Sequence, residues 1–204
     1  MKKWAGKLVV GLGGSTGTGK DNVQKMLERL GAFTIDSDEI ANRVLLKGAP
    51  GYQPIVESFG EKILGQNGQI DRSRLYQFVR SDHQARSKLQ SIIDPLIKQA
   101  TVSLLQRAEG SVVVIKATNL TRFGLLELCD HVWVITAPDD VQISNLVWKK
   151  GWSVEQAREY IQKQPEVDVQ LAHADIVLYN KGSRGALWKQ VAEAWGKLGW
   201  GDAP

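Results

Sequence analysis

Short apolar runs alternate along this chain with stretches in which apolar and polar residues are mixed. Five of these runs are rich in Val, Ile and Leu and are bounded by glycine or polar residues, which is typical of buried strands. The predicted strands cover residues 7–13, 32–36, 111–117, 131–137 and 174–180. Nearly continuous apolar strands favour a parallel sheet that is covered on both faces.

Between the strands, apolar residues recur at three- and four-residue spacing, which predicts helices. In the first such stretch Val23, Met26 and Leu27 fall on one face, and Gly31 marks its end. Further helices are predicted over residues 38–48, 52–64, 71–81, 83–110, 139–150, 153–164 and 183–198. The alternation predicts an α/β fold, a three-layer sandwich around a five-stranded parallel sheet.

The helical block between the second and third strands is too long for a simple crossover. We therefore predict a core of residues 1–38, 108–148 and 171–204, interrupted by a helical insertion, residues 39–107. A second flap is predicted over residues 149–170. Both interruptions are expected to cover a ligand.

Composition narrows the class of protein. The formal net charge of +4 suits an anionic small-molecule substrate and is too weak to indicate nucleic acid binding. The single cysteine, Cys129, excludes an intrachain disulfide, and no apolar run is long enough to span a bilayer. We expect a cytoplasmic protein of undetermined oligomeric state, with Trp133 and Trp148 packed in its interior.

The loop after the first strand has the spacing of a phosphate-binding loop. The pattern G-x-x-x-x-G-K is met by Gly14, Ser15, Thr16, Gly17, Thr18, Gly19 and Lys20. Such glycines turn backbone N–H groups inward, the helix N-terminus adds partial positive charge, and the lysine faces the terminal phosphates. This predicts an ATP site, and an unliganded glycine-rich turn is the alternative.

The residue that follows the lysine departs from the usual pattern. A hydroxyl normally ligates Mg²⁺ at this position, and here the residue is Asp21. A carboxylate can ligate Mg²⁺ as well, but it brings negative charge close to the phosphates. Asp21 is therefore predicted as a nucleotide and metal contact, with a helix-dipole role in the first turn of the helix as the alternative.

Several longer segments, in order and spacing, resemble the dephospho-CoA kinase family. They are TIDSDEIANRVLLKGAPGYQPIVESFGEKIL, NGQIDRSRLYQFVRSD, KLQSIIDPLI, GLLELCDHVWVITAP and ADIVLYNKGS. The resemblance runs from Leu8 to about Leu198. It implies a P-loop, nucleoside-monophosphate-kinase-like fold in which residues 39–107 bind CoA and residues 149–170 form a lid. It also implies transfer of the γ-phosphoryl group of ATP, with Mg²⁺, to the 3′-hydroxyl of dephospho-CoA.

The resemblance assigns roles to a few residues. Asp36 and Asp38 match the family's D-x-D motif, which makes Asp38 the candidate base and Asp36 a candidate Mg²⁺ or substrate contact. Asn180 falls in the family's loop near the nucleotide base. The alternative for the two aspartates is that they cap the next helix.

Departures from the family pattern cluster near the chemistry. Asp94 precedes Pro95 where the family usually has His, and Lys116 ends the third strand where a carboxylate is more usual. Where the lid normally supplies arginines, the chain has Asn145, Lys149 and Tyr160. These changes leave two alternatives to a dephospho-CoA kinase. One is a P-loop kinase with another acceptor, which the altered segment 118–122 supports, and the other is a non-catalytic relative that binds nucleotide or CoA.

Overall fold

The computed structural model describes residues 4, 6–80, 82–163 and 168–199. The chain divides into two compact units. The sheet unit comprises Met1–Asp36 and Arg107–Pro204, and the helical unit comprises Ser37–Gln106.

The sheet unit is built on five strands that all run parallel. They are β1 (Leu8–Gly13), β2 (Phe33–Asp36), β3 (Val112–Lys116), β4 (His131–Thr136) and β5 (Ile176–Tyr179), in the spatial order β2-β3-β1-β4-β5. The predicted α/β fold with a five-stranded parallel sheet is confirmed. β1 is the central strand, and both of its neighbours come from the second half of the chain.

The described residues form nine α-helices. They are α1 (Lys20–Arg29), α2 (Ser37–Arg43), α3 (Tyr52–Phe59), α4 (Arg72–Arg80), α5 (His83–Arg107), α6 (Asp139–Lys150), α7 (Val154–Gln162), α8 (Asp168–Leu171) and α9 (Arg184–Gly196). Two short 3-10 helices cover Glu61–Ile63 and Leu126–Leu128. None of the described helices is long and apolar enough to cross a membrane.

Each unit has its own apolar core. In the sheet unit α1 and α9 pack on the sheet through residues that are almost fully buried: Val10, Leu12, Val23, Leu27, Val114, Trp133, Leu187 and Val191. In the helical unit the corresponding cluster contains Ile55, Phe59, Ile63, Leu75 and Val79. Burial of each large side chain contributes about 1.5–3 kcal/mol, so the two clusters hold these elements in place.

Two helical predictions overran the observed helix by five residues each. The helix predicted over 38–48 ends at Arg43, and a series of turns follows in which Gly51 N–H donates to the Val44 carbonyl. The helix predicted over 52–64 ends at Phe59, because Gly60 leaves the helical region with φ 76° and a 3-10 turn follows. The predicted lid, residues 149–170, contains α7 and ends within α8. Its residues 164–167 lie outside the described part of the chain.

The prediction that Trp148 packs in the interior is wrong. Its exposed fraction is 83%, whereas Trp133 is fully buried in β4. The buried face of α6 carries Gln142 and Leu146. Trp148 follows Leu146 by two residues, about 200° around the helix, and therefore points to solvent.

Candidate functional site

The glycine-rich loop connects the carboxyl end of β1 to the first turn of α1. Gly14 has φ 136°, and a Cβ atom there would lie 2.3 Å from the Ile135 carbonyl oxygen of the adjacent strand β4. Gly19, with φ 103°, occupies the N-cap position of α1, and a Cβ would lie 2.7 Å from Asn180 Nδ2. Only glycine fits these two backbone positions, so the spacing of the motif follows from the path of the chain.

Lys20 is the first residue of α1 and is buried. Its Nζ donates to the carbonyl oxygens of Gly14 at 2.5 Å and Ser15 at 2.9 Å. The ammonium therefore lies against the loop that precedes it. In this position it places a full positive charge beside backbone N–H groups suited to phosphate oxygens.

Side chains from other elements hold the loop in shape. Asn145 Nδ2 on α6 donates to the Gly17 carbonyl at 2.7 Å, and Asn180 Nδ2 after β5 donates to the Thr18 carbonyl at 2.9 Å. The hydroxyls of Thr16 and of Tyr160 on α7 lie 3.4 Å apart. α6 and α7 thus contact the loop directly.

Asn180 has a structural role that the sequence did not indicate. It is 5% exposed, and its Oδ1 accepts from the Gly182 N–H at 2.9 Å while its amide supports the loop. Its assignment as a nucleotide contact stays a prediction.

Asp21, Lys116 and Asp36 form an ion-pair chain at the carboxyl edge of the sheet. Lys116 Nζ lies 2.8 Å from Asp21 Oδ1 and 2.6 Å from Asp36 Oδ2. The other oxygen of Asp21, Oδ2, contacts Lys149 Nζ at 2.7 Å. Strand register explains part of this arrangement, because Asp36 of β2 and Lys116 of β3 are paired residues in neighbouring strands.

The ion pairs shift the pKa values of Asp21 and Lys116. Burial opposes ionisation of Asp21, but hydrogen bonds from Lys116 and Lys149 outweigh it and hold the pKa of Asp21 well below its ordinary value. Burial likewise opposes the charged form of Lys116, and hydrogen bonds to Asp21 and Asp36 outweigh it and raise the pKa of the ammonium. Asp21 and Lys116 are therefore both charged at neutral pH.

These carboxylates do not fit a divalent metal ion as they stand. Both oxygens of Asp21 and one oxygen of Asp36 contact lysine ammonium groups. Mg²⁺ needs oxygen ligands at about 2.0–2.1 Å, and an ammonium already lies between the two side chains. Nor do the described residues contain a group of three or more His, Cys, Asp or Glu side chains arranged to hold a metal. The assignment of Mg²⁺ to Asp21 and Asp36 stays a prediction that this geometry does not favour.

Asp38 lies in the helical unit, in the first turn of α2, where it is half-buried. Asp94, also half-buried, precedes Pro95 inside α5. The sequence pattern singled out both, and their roles stay predictions.

Gln170, which no sequence pattern singled out, shapes the neighbourhood of the loop. Gln170 in α8 is 4% exposed, and its side chain accepts from the Leu120 N–H at 3.2 Å and donates to the Thr118 carbonyl at 3.1 Å. It therefore fixes the segment after β3, which precedes it by about fifty residues. No local pattern marks such a residue, because its partners are backbone groups far away in the chain.

Known proteins resemble this chain over most of its length. The family model described as dephospho-CoA kinase matches residues 8–185. The chain belongs to the dephospho-CoA kinase family. It is 35% identical over 192 residues to the dephospho-CoA kinase of Thermobifida fusca, covering 94% of this chain and 96% of that protein. It is also 35% identical to that of Geobacillus kaustophilus over 187 residues, 90% of this chain and 93% of the other.

Solved structures support the fold of this dephospho-CoA kinase family member. TT1252 from Thermus thermophilus superposes with a TM-score of 0.81 at 23% identity, over 94% of this chain and 98% of the other. Dephospho-CoA kinase from Campylobacter jejuni gives a TM-score of 0.68 at 21% identity, over 93% and 96% of the two chains. The P-loop kinase-like architecture is therefore shared over nearly the whole length.

Proposed function

We propose that this protein transfers the γ-phosphoryl group of ATP to the 3′-hydroxyl of dephospho-CoA. The observation that carries the proposal is the Gly14–Lys20 loop, built at the carboxyl edge of a parallel sheet in a chain that matches the family over residues 8–185. Ligands of open α/β sheets bind at this edge.

The parts needed for phosphoryl transfer can be assigned to particular residues. The backbone N–H groups of the loop and the N-terminus of α1 would hold the phosphates, and Lys20 would neutralise negative charge on the terminal ones. Asp38, two residues beyond Asp36 in the chain, is the proposed base that accepts or orients the proton of the acceptor hydroxyl. Mg²⁺ belongs to the proposal as the ion that accompanies ATP on its own phosphates, and it would supply charge neutralisation there.

The acceptor and its surroundings complete the proposal. Residues 39–107 would bind the CoA portion, and residues 149–170 would act as the lid, which the contact between Thr16 and Tyr160 supports. A small-molecule acceptor suits the modest net charge of +4. We also propose a cytoplasmic location.

The proposal is tested by measuring ADP release from Mg²⁺–ATP with and without dephospho-CoA. We expect stimulation by dephospho-CoA, and its loss in Asp38→Asn with ATP binding retained. Glu39→Gln is the matched control, because Glu39 is the exposed neighbour of Asp38 on α2 and pairs with Arg43 on the surface. Its turnover should equal that of the wild type.

Two other outcomes would contradict the proposal and point elsewhere. Turnover with a different hydroxyl compound but not with dephospho-CoA would mean that the acceptor has changed. ATP binding without turnover on either acceptor would identify a non-catalytic relative.

A further inference from the structure

Lys116 occupies an unusual position for a lysine. It is 6% exposed at the end of β3, opposite Leu12 of β1 and Asp36 of β2 in the sheet register. Its ammonium lies between two carboxylates, Asp21 Oδ1 at 2.8 Å and Asp36 Oδ2 at 2.6 Å. A buried charge is tolerated only when partners compensate for its lost hydration, and here the two aspartates do so.

The ammonium of Lys116 lies close to the phosphate-binding loop. Asp21 follows Lys20 directly in the first turn of α1, so the pair lies beside the phosphate-binding loop. Two carboxylates converging at the edge of a sheet next to such a loop supply oxygen donors of the kind that a divalent cation binds. In this chain they converge on a lysine.

We infer that the Lys116 ammonium is a built-in cation that takes the place of a protein-held divalent ion at Asp21 and Asp36. This pair of carboxylates then binds no divalent ion of its own, and the only divalent ion near it is the one that arrives with the nucleotide. The ammonium lies between the two carboxylates whatever the protein does. The arrival of a divalent ion with the nucleotide rests on the proposed ATP-dependent function. Lys116 is accordingly a positioning residue, which holds two carboxylates together in the absence of metal.

The neighbouring lysine provides an internal comparison. Lys149 contacts only the outer oxygen of Asp21, at 2.7 Å, and is more exposed than Lys116. Removing it leaves the ammonium of Lys116 between the carboxylates. Removing Lys116 instead takes away the ammonium that lies between the two carboxylates, which favours capture of a metal ion.

Mn²⁺ binding, followed by electron paramagnetic resonance, tests the inference without any turnover. We expect the nucleotide-free wild-type protein to bind no Mn²⁺ at about 1 mM, and Lys116→Met to bind Mn²⁺ at least ~10-fold more tightly than the wild type. The gain should disappear in Lys116→Met/Asp21→Asn. Lys149→Met should behave like the wild type.

Either of two results would overturn the inference. One is tight Mn²⁺ binding by the nucleotide-free wild type, and the other is a folded Lys116→Met that gains no affinity. The wild-type measurement needs no variant and remains decisive if Lys116→Met fails to fold. Failure of the proposed kinase function would appear separately, as absent ATP binding or turnover, and would leave the nucleotide-free measurement unchanged.

Discussion

At the scale of single residues, Lys20 has two tasks. Its ammonium donates to the Gly14 and Ser15 carbonyls, so it helps to close its own loop. In the proposed function it would also supply the positive charge for phosphate. Both tasks depend on the charge and on the length of the side chain.

Replacing this lysine should therefore weaken nucleotide binding. We expect Lys20→Ala to lose about 1.5–3 kcal/mol of ATP binding free energy, roughly ten- to hundredfold in Kd, because a charge-assisted contact is removed. Isothermal titration calorimetry with ATP measures this. Lys25→Ala, an exposed lysine on the same helix, is the control and should bind as the wild type does. Unchanged affinity in Lys20→Ala would rule out the phosphate site.

Lowering the pH should reduce the free energy of unfolding, and Asp21 accounts for part of the loss. Its pKa is lowered in the folded state by Lys116 and Lys149, so its contribution to stability is complete above its unfolded value of 3.8 and is lost as pH falls through the lower folded value. Because the side chain is half exposed, solvent screening reduces this contribution to about 1 kcal/mol. Urea unfolding from pH 5 down to pH 2 should show a smaller loss of stability in Asp21→Asn than in the wild type. Equal slopes would mean that the ion pairs do not stabilise the fold.

Single residues also show which contacts can be predicted from sequence and which cannot. The loop was predicted from spacing, since glycine and lysine at fixed offsets reflect local geometry. The contact between Asp21 and Lys116 joins positions 95 residues apart and exists because β3 lies beside β1 in the sheet. Strand order is set by packing of the whole sheet. The sequence therefore showed that Asp21 and Lys116 depart from the usual patterns, but not that they contact each other.

At the scale of elements, α7 begins with a full capping box. The Ser153 hydroxyl accepts from the Gln156 N–H at 3.2 Å, and the Gln156 side chain accepts from the Ser153 N–H at 2.9 Å. Within this helix Ala157 is buried, whereas most other residues are exposed. The stability of a helix that buries so little apolar surface depends on the capping of its ends.

Removing the cap should loosen this helix. Ser153→Ala should cost about 1 kcal/mol locally and speed amide exchange in α7 by roughly fivefold, because the Gln156 N–H loses the hydroxyl that accepts from it. Hydrogen–deuterium exchange of peptides from residues 153–162 measures this. Ser144→Ala, at an exposed position inside α6, should leave exchange in both helices unaffected. Equal exchange in Ser153→Ala and wild type would show that tertiary contacts, not the cap, hold α7.

The presence of each strand and long helix was predicted better than the residues at which the helices end. The five strands were found because each contains a short apolar run. The run is buried without interruption in β1 and β3, as in Val112–Lys116, whereas the edge strands β2 and β5 are partly exposed. Helices ran too long where turns follow them, as after Arg43, since an apolar spacing continues there without a continuous helical backbone. α8 was missed because four residues are too few to show a period.

At the scale of the whole molecule, nucleotide binding should raise stability. A ligand at one hundred times its Kd adds about 2.7 kcal/mol, which for a chain of 204 residues corresponds to a rise in Tm of roughly 5–10 °C. Differential scanning fluorimetry with Mg²⁺–ATP measures this. Lys20→Ala at the same ATP concentration should show a clearly smaller rise. A full rise in that variant would place the nucleotide elsewhere in the molecule.

The position of β1 has a consequence for the newborn chain. Of the five strands, β1 leaves the ribosome first, yet its two neighbours are residues 112–116 and 131–136. Until those residues have been synthesised, an apolar strand and a glycine-rich turn have nothing to pair with, and non-local pairing of this kind is slow and prone to aggregation. A ribosome stalled before residue 131 would therefore carry a chain whose nucleotide site cannot yet exist, and a chaperone would find Leu8–Gly13 exposed.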